Sequence, residues 1–227
     1  CRACHAVTDA RAVAALLGIP HHTVEAAAAF EREVAEPFCA GYLRGLTPNP
    51  CLPCNARLKF GLLFVRARAL GATRLATGHY ARVDRDAATG RFLLRRARDP
   101  RKDQSYCLDQ AQLAAALFPL GDLAKEDTRR LAAELGLPVA DKPESQEICF
   151  AAGDYRQYLR RRAPWAFRPG VIRDRTGAPL GRHGGLALYT VGQRHGLGLG
   201  SPRPYYVIRL DPSRNELVVG GLEELDV

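Results

Sequence analysis

Arg74-Leu75-Ala76-Thr77-Gly78-His79-Tyr80 is a short apolar run that ends in a Gly-His turn, and its neighbours decide the fold. Just before it, residues 56–70 carry a helical pattern closed by Gly71, since glycine most readily takes the left-handed conformation past a helix end. Earlier, residues 8–17 read as a helix: Thr8 caps it, Asp9 lies in its first turn, and Ala10, Val13, Ala14 and Leu17 share one face before Gly18 and Pro20. A short extended stretch, His22 to Val24, leads to a second helical pattern over 25–44. Pro37 is expected to kink or break that helix, because it lacks an N–H and crowds the preceding turn. Helix, strand, helix, strand with short connections is the pattern of a parallel sheet of the α/β type. In such sheets ligands bind beyond the carboxyl ends of the strands, which places Gly78 and His79 where a binding site belongs.

Residues 81–97 alternate around Ala88-Thr89-Gly90 as a β-hairpin, and helical patterns return at 108–117 and 125–135, closed by Gly136 and Pro138. Beyond about residue 150 the character changes. A short helix is expected at 154–162; from 168 onward Gly and Pro become frequent and strands short, ending in a hairpin around Asp211-Pro212-Ser213-Arg214-Asn215. The expected organisation is an α/β parallel-sheet domain over 1–146 and a β-rich domain over 147–227 that stops abruptly at Val227. No internal repeat or low-complexity segment interrupts it.

The 227 residues are 47% hydrophobic and 25% charged, the balance of an ordinary globular protein. No apolar run approaches the roughly 20 residues that a transmembrane helix needs. With 33 Lys+Arg against 24 Asp+Glu, the formal charge is +9. That surplus favours a polyanionic partner, because Lys and Arg near phosphates release condensed counterions; an Arg-rich coding bias would give the same number. Two clusters sharpen it: Arg91, Arg95, Arg96, Arg98, Arg101 and Lys102 against Asp99 alone, and Arg156, Arg160, Arg161, Arg162 with Arg168. The chain contains no Met and opens on Cys1, as a fragment of a longer protein does.

Seven cysteines (1, 4, 39, 51, 54, 107 and 149) are an odd set without a secretory signal, so reduced, metal-binding or catalytic thiols are expected rather than a disulfide scaffold. Cys1/Cys4 and Cys51/Cys54 share C-x2-C spacing, but the gap between the pairs is longer than a zinc ribbon usually has. Cys51 and Cys54 sit on a loop stiffened by Pro48, Pro50 and Pro53, just ahead of a helix whose positive end favours thiolate. Cys149, in Ser145-Gln146-Glu147-Ile148-Cys149-Phe150, marks the expected domain boundary; viewed alone it reads first as a buried structural thiol. Cys39 and Cys107 read as small core residues. Lys102-Asp103-Gln104-Ser105 is a polar knot after the hairpin, which a plain solvated turn would also explain. Gly196-Leu197-Gly198-Leu199-Gly200 lacks the Lys-Ser/Thr of a phosphate-binding P-loop and precedes no clear helix, so that reading is rejected.

Taken together, TPNPCLPCNARLKF (47–60), ATGHYAR (76–82), RKDQSYCL (101–108), SQEICF (145–150) and YTVGQRHGLGLG (189–200) resemble, in order and spacing, the tRNA-specific 2-thiouridylases, a family of the PP-loop ATP pyrophosphatase superfamily. The resemblance implies an adenine nucleotide hydrolase-like catalytic domain and a cytoplasmic, monomeric sulfurtransferase that binds tRNA and a sulfur-donor protein, a desulfurase or relay. It implies that ATP, with Mg2+, adenylates the C2 oxygen of the wobble uridine and that a cysteine persulfide then displaces AMP. That order is sensible chemistry, because oxygen leaves poorly until it is phosphorylated. By motif match, Cys54 is the nucleophile and Cys149 carries the persulfide, the two forming a disulfide as sulfur is released. Asn49, Pro50 and Cys51 face the target base, which must leave its stack. Gly78 contacts ATP, and His79, Lys102, Asp103 and Gln104 contact tRNA.

Two departures qualify the match. The family's N-terminal PP-loop is absent from these residues, so the chain by itself is expected to bind ATP poorly and to be inactive, and the β domain is expected to run into a truncated C-terminal barrel. Position 51 is Cys where many members carry Asp; with Cys54 and Cys149 it gives three thiols able to hold a 4Fe-4S cluster, the alternative route for sulfur. The persulfide assignment needs no metal. Rival readings are another PP-loop ATP enzyme, such as an amide-forming ligase, which would not need these thiols, and a metal-stapled non-catalytic RNA-binding module, which would hold stoichiometric zinc.

Overall fold

The computed structural model describes residues 2–107, 110–142, 148–151, 153–201 and 203–225, with the side chains of residues 2–5, Cys107 and Ala111 outside that description. The expectations for Cys1, Cys4, Cys107 and Ser145–Glu147 therefore fall outside it. The chain divides into two compact units: residues 1–33 with 51–144, and residues 34–50 with 145–227.

In the first unit, the opening helix runs Arg2–Leu16, so Thr8 lies inside it rather than capping it. The extended stretch at His22 to Val24 is irregular chain, not a strand. A second helix starts at Cys51–Pro53, widens to i→i+5 spacing over Cys54–Leu63 and ends as Phe64–Ala69. Strand β1 (Leu75–Ala76) follows. The hairpin over 81–97 is β2 (Ala81–Arg85) and β3 (Phe92–Arg96), antiparallel from Ala81 opposite Arg96 to Arg85 opposite Phe92. The helix expected over 108–117 is only Gln110–Leu113; Ala116–Leu117 form β4, which pairs in parallel with β1. Two residues are too short for any periodicity to reveal, so this strand was invisible in the sequence. Helix Lys125–Glu134 closes the unit.

Pro37 does not end the helical run around it. Ala27–Phe30 is α-helical, Glu31–Ala35 takes the wider i→i+5 register, and Glu36–Leu43 returns to α with Pro37 in its first turn. The extra residue per turn accommodates a residue that cannot donate and whose ring would strike the carbonyl four positions back.

The second unit packs Phe38, Cys39 and Tyr42 against Leu159 and Ala187, with Ile148, Phe150, Tyr155 and Tyr158 around them. Phe38 meets the rings of Tyr42 and Phe150 edge-on at 5.1 and 5.4 Å, the favoured quadrupolar arrangement. The Arg-rich helix Tyr155–Arg162 lays Arg156, Arg160 and Arg162 over Tyr155, Phe167 and Tyr158 at 4.8–5.2 Å. Its charges thus cover aromatic surface while their heads stay at the surface. A four-stranded sheet follows, in the order β6 (Pro179–His183), β5 (Gly170–Arg173), β8 (Glu216–Gly220), β7 (Tyr206–Asp211), with only β5 and β8 parallel. Its buried face gathers Ile172, Val207, Leu217 and Val219, none measurably exposed, with Leu197 and Tyr189.

Gly170 is fixed by close approach. A Cβ there would collide with the Asn215 carbonyl and the His183 ring. That ring cannot retreat: Nε2–H donates to Asn215 O (3.1 Å) and Nδ1 accepts from Gly185 N–H (3.1 Å). Gly170→Ala is expected to destabilise the second unit by about 3 kcal/mol, read as a lowered urea midpoint; an unchanged midpoint would contradict this packing.

Candidate functional site

Strand β1 delivers Thr77-Gly78-His79-Tyr80 to the carboxyl end of the β1–β4 pair, the pairing extended by Thr77 N–H to Leu117 O at 3.0 Å. His79 is buried there, 6% exposed. Its Nε2–H donates to Asn55 Oδ1 (3.2 Å), and its Nδ1 accepts from the Thr77 hydroxyl (2.7 Å). Phe60 stacks on the imidazole at 6.2 Å and Phe118 meets it edge-on at 6.0 Å. Burial, and after it the positive charge of Lys59, draws the His79 pKa down to about 4. A neutral ring with one donor and one acceptor is what these two partners require.

Asn55 is the residue that sequence reasoning quoted without assigning. It is 2% exposed and directly follows Cys54, so the bond to His79 ties the start of the thiol-bearing helix to the Gly78 turn. The wide i→i+5 spacing begins at Cys54, and such segments recur at functional positions in helices. Cys51 is exposed and Cys54 half-buried, both present as thiols. Gly78 is exposed, its φ is not left-handed, and a Cβ there would meet nothing nearer than Leu120 Cδ1 at 3.9 Å. Nothing among the described residues of the unit demands glycine, whereas a ligand lying against the backbone would.

The polar knot is largely spent on architecture. Gln104 brackets Tyr80, its N–H donating to Tyr80 O (2.9 Å) and its Oε1 accepting from Tyr80 N–H (3.1 Å). Asp103 accepts from Ala97 N–H (2.8 Å) and the Ser105 hydroxyl (2.9 Å). Burial pushes the Asp103 carboxyl up, but those hydrogen bonds prevail and hold it below the usual carboxylate range. Asp99, 4% exposed, accepts from Arg101 and from Lys125 N–H (3.3 Å), serving the uncapped start of helix Lys125–Glu134 from a distance. Around Lys102, the side chains of Arg101, Lys125, Glu126 and Arg129 line an open depression of about 310 Å³. Tyr80 is wired to the same helix through its hydroxyl, which donates to Thr128 Oγ1 at 3.0 Å.

In the second unit, Gly41 lets Pro48 lie against the helix Glu36–Leu43: a Cβ would come within 2.6 Å of Pro48 Cγ. Asn49 is exposed and Pro50 buried. Cys149 is an exposed thiol between Ile148 and Phe150, both held in the aromatic cluster. Pinned neighbours on either side turn Cys149 outward. Cys39, as its apolar setting predicted, is buried. Among the described residues no group of three or more His, Cys, Asp or Glu is arranged to hold a metal ion, and no helix is long and apolar enough to cross a membrane.

Comparison with known proteins bears on both units. Residues 1–153 match the family model described as the tRNA methyl transferase HUP domain, and residues 156–221 the model of the tRNA methyl transferase PRC-barrel domain. The class is thus an adenine-nucleotide-hydrolase-like α/β domain followed by a β-rich PRC-barrel domain. The chain is 53% identical over 230 residues to the tRNA-specific 2-thiouridylase MnmA of Moorella thermoacetica, the match covering all of the chain and 64% of that protein. It is 52% identical over 221 residues to the same-named protein of Desulforudis audaxviator (96% of the chain, 64% of that protein) and 53% over 230 residues to that of Chloroflexus aggregans (100% and 64%). The chain belongs to the tRNA-specific 2-thiouridylase family. It spans about 64% of the length of these curated relatives.

Proposed function

We propose that the protein carrying this chain replaces the C2 oxygen of the tRNA wobble uridine with sulfur. The observation that carries the reading is the Asn55–His79 bond at 3.2 Å, which brings the Cys51/Cys54 helix start and the Gly78 turn to one place in the first unit. ATP supplies the leaving group: transfer of AMP to the C2 oxygen makes that oxygen displaceable. Gly78 offers the bare backbone against which the nucleotide lies, with further contacts from other parts of the protein. The terminal sulfur of a Cys149 persulfide bonds to C2 as AMP departs. The Cys54 thiolate then attacks the Cys149 sulfur, the S–S bond to the transferred atom breaks with its electron pair going to the 2-thiocarbonyl, and a Cys54–Cys149 disulfide remains for an external thiol to reduce. Asn49, Pro50 and Cys51 receive the flipped base. Lys102 and its basic neighbours hold the RNA backbone without reading sequence, Asp103 and Gln104 shape that turn, and His79 acts on the RNA site through Asn55 rather than by touching RNA.

The thiols favour sulfur transfer over the methyl transfer that the family models' description mentions, because methylation has no use for a sulfur carrier. A cluster route would hold iron on Cys51, Cys54 and Cys149; the persulfide route assigns each thiol a step without it. The test is peptide mass spectrometry on the full-length protein loaded by a cysteine desulfurase. One extra sulfur on the Cys149 peptide, and a Cys54–Cys149 linked peptide after one turnover with tRNA and ATP, are expected. Stoichiometric iron with no sulfur on Cys149 would contradict the persulfide route.

A further inference from the structure

The Gly196-Leu197-Gly198-Leu199-Gly200 motif finds no place in the chemistry above, yet the structure gives it a definite construction. Leu197 is 6% exposed in the core of the second unit, and Leu199 packs on Gly181 of β6, where a Cβ would come within 2.8 Å of it. The alternation therefore turns both leucines inward and Gly196, Gly198 and Gly200 outward, all three exposed. Gly196 and Gly198 have φ of +74° and +68°, which side chains rarely adopt. Gly200 has no such φ, and a Cβ there would meet nothing within 4 Å.

The loop is held still as well as bare. Gln193 Oε1 accepts from Thr190 N–H (3.1 Å), and its amide donates to His195 O (2.8 Å). Val207 N–H to Gln193 O (2.9 Å) and Gly192 N–H to Val207 O (2.8 Å) tie the loop to β7. Over Gly196 and Gly198 lies an open cavity of about 260 Å³ whose rim includes Arg194, His195, Ser201 and Arg203, with no acidic side chain among the described residues that line it. Two guanidiniums, an imidazole, a hydroxyl and a concave glycine backbone are the components of a phosphate cradle. The earlier rejection of a P-loop stands, since the cradle has neither its lysine nor its helix.

The geometry points to this loop as a second RNA-contact site, in which Arg194 and Arg203 clamp a phosphodiester of the bound RNA against the backbone of Gly196–Gly198. This rests on the RNA reading of the protein, and adds to it a contact in the β-rich domain. The test is the affinity of a tRNA transcript for the full-length protein as a function of KCl. For Arg194→Gln/Arg203→Gln the slope of log K against log salt is expected to fall by about 1, for the one phosphate no longer neutralised, with binding about tenfold weaker. Arg214→Gln, at the exposed tip of the β7–β8 turn, removes a charge outside the cavity and should leave the slope unchanged. If the double variant keeps the wild-type slope while the protein still binds and thiolates tRNA, the cradle is wrong and the proposed function stands. A wild-type protein that binds no tRNA would overturn both.

Discussion

Without added reductant, replacing either Cys54 or Cys149 by Ser in the full-length protein is expected to abolish release of thiolated tRNA, a loss of roughly a thousandfold or more, while tRNA affinity stays within about twofold. The two losses arise differently. Serine at 149 has no sulfur to carry, since a hydroxyl cannot form a persulfide under these conditions. Serine at 54 leaves sulfur loading intact but removes the thiolate that breaks the S–S bond, so the tRNA should stay covalently attached to Cys149 and be released by added reductant. Gel analysis with and without dithiothreitol separates the cases: a reducible protein–RNA adduct for Cys54→Ser and none for Cys149→Ser. Both thiols are accessible in the structure, Cys149 exposed and Cys54 half-buried, so neither substitution opens a cavity. Thiolation retained by Cys149→Ser, or by Cys54→Ser without added reductant, would remove that residue from the mechanism.

The second large effect is expected at His79. His79→Leu leaves Asn55 Oδ1 and the Thr77 hydroxyl without their partner in a buried site, a cost of about 2 to 3 kcal/mol. It also releases the residue next to Cys54; a displacement of about 1 Å there can lower turnover by about a hundredfold. His79→Gln keeps one hydrogen bond and should recover much of both. Stability also acquires a pH signature. The folded pKa of about 4 lies below the ordinary value near 6.5, so between the two the unfolded chain binds more protons and stability falls as pH drops. The contribution is fully present above about pH 6.5, is lost toward pH 4, and changes by up to about 1.4 kcal/mol per pH unit. Urea midpoints measured across that window should slope less in His79→Gln than in wild type. Identical slopes would place the imidazole in water.

Much of this was legible in the sequence because the informative elements are long or punctuated. Gly71 and Gly136, the Ala88-Thr89-Gly90 turn and the Asp211–Asn215 turn mark ends that local chemistry dictates, and the flanking helices and hairpins lie within a few residues of where they were expected. The elements that escaped are those set by tertiary contact. Strand β4 is two residues and exists only by pairing with β1. At the site, spacing located the thiols and the Gly78 turn, but it could not say that His79 faces inward. Its burial comes from Phe60 and Phe118, which lie 19 and 39 positions away in the chain. Asn55 could have been suspected from its place beside Cys54, and Asp99 from being the lone acid in a basic stretch. The inward turn of Leu197 and Leu199, which gives the glycines between them an outward face, needed the sheet beneath them.

The central claim is that this family member moves sulfur onto the wobble uridine through Cys149 and Cys54. The most direct measurement is nucleoside mass spectrometry of a tRNA transcript incubated with full-length protein, ATP and a persulfide donor. The account predicts one oxygen-to-sulfur exchange at the wobble uridine, dependent on ATP and lost in both cysteine variants. A methyl group in its place, or thiolated tRNA released without reductant by either variant, would contradict it.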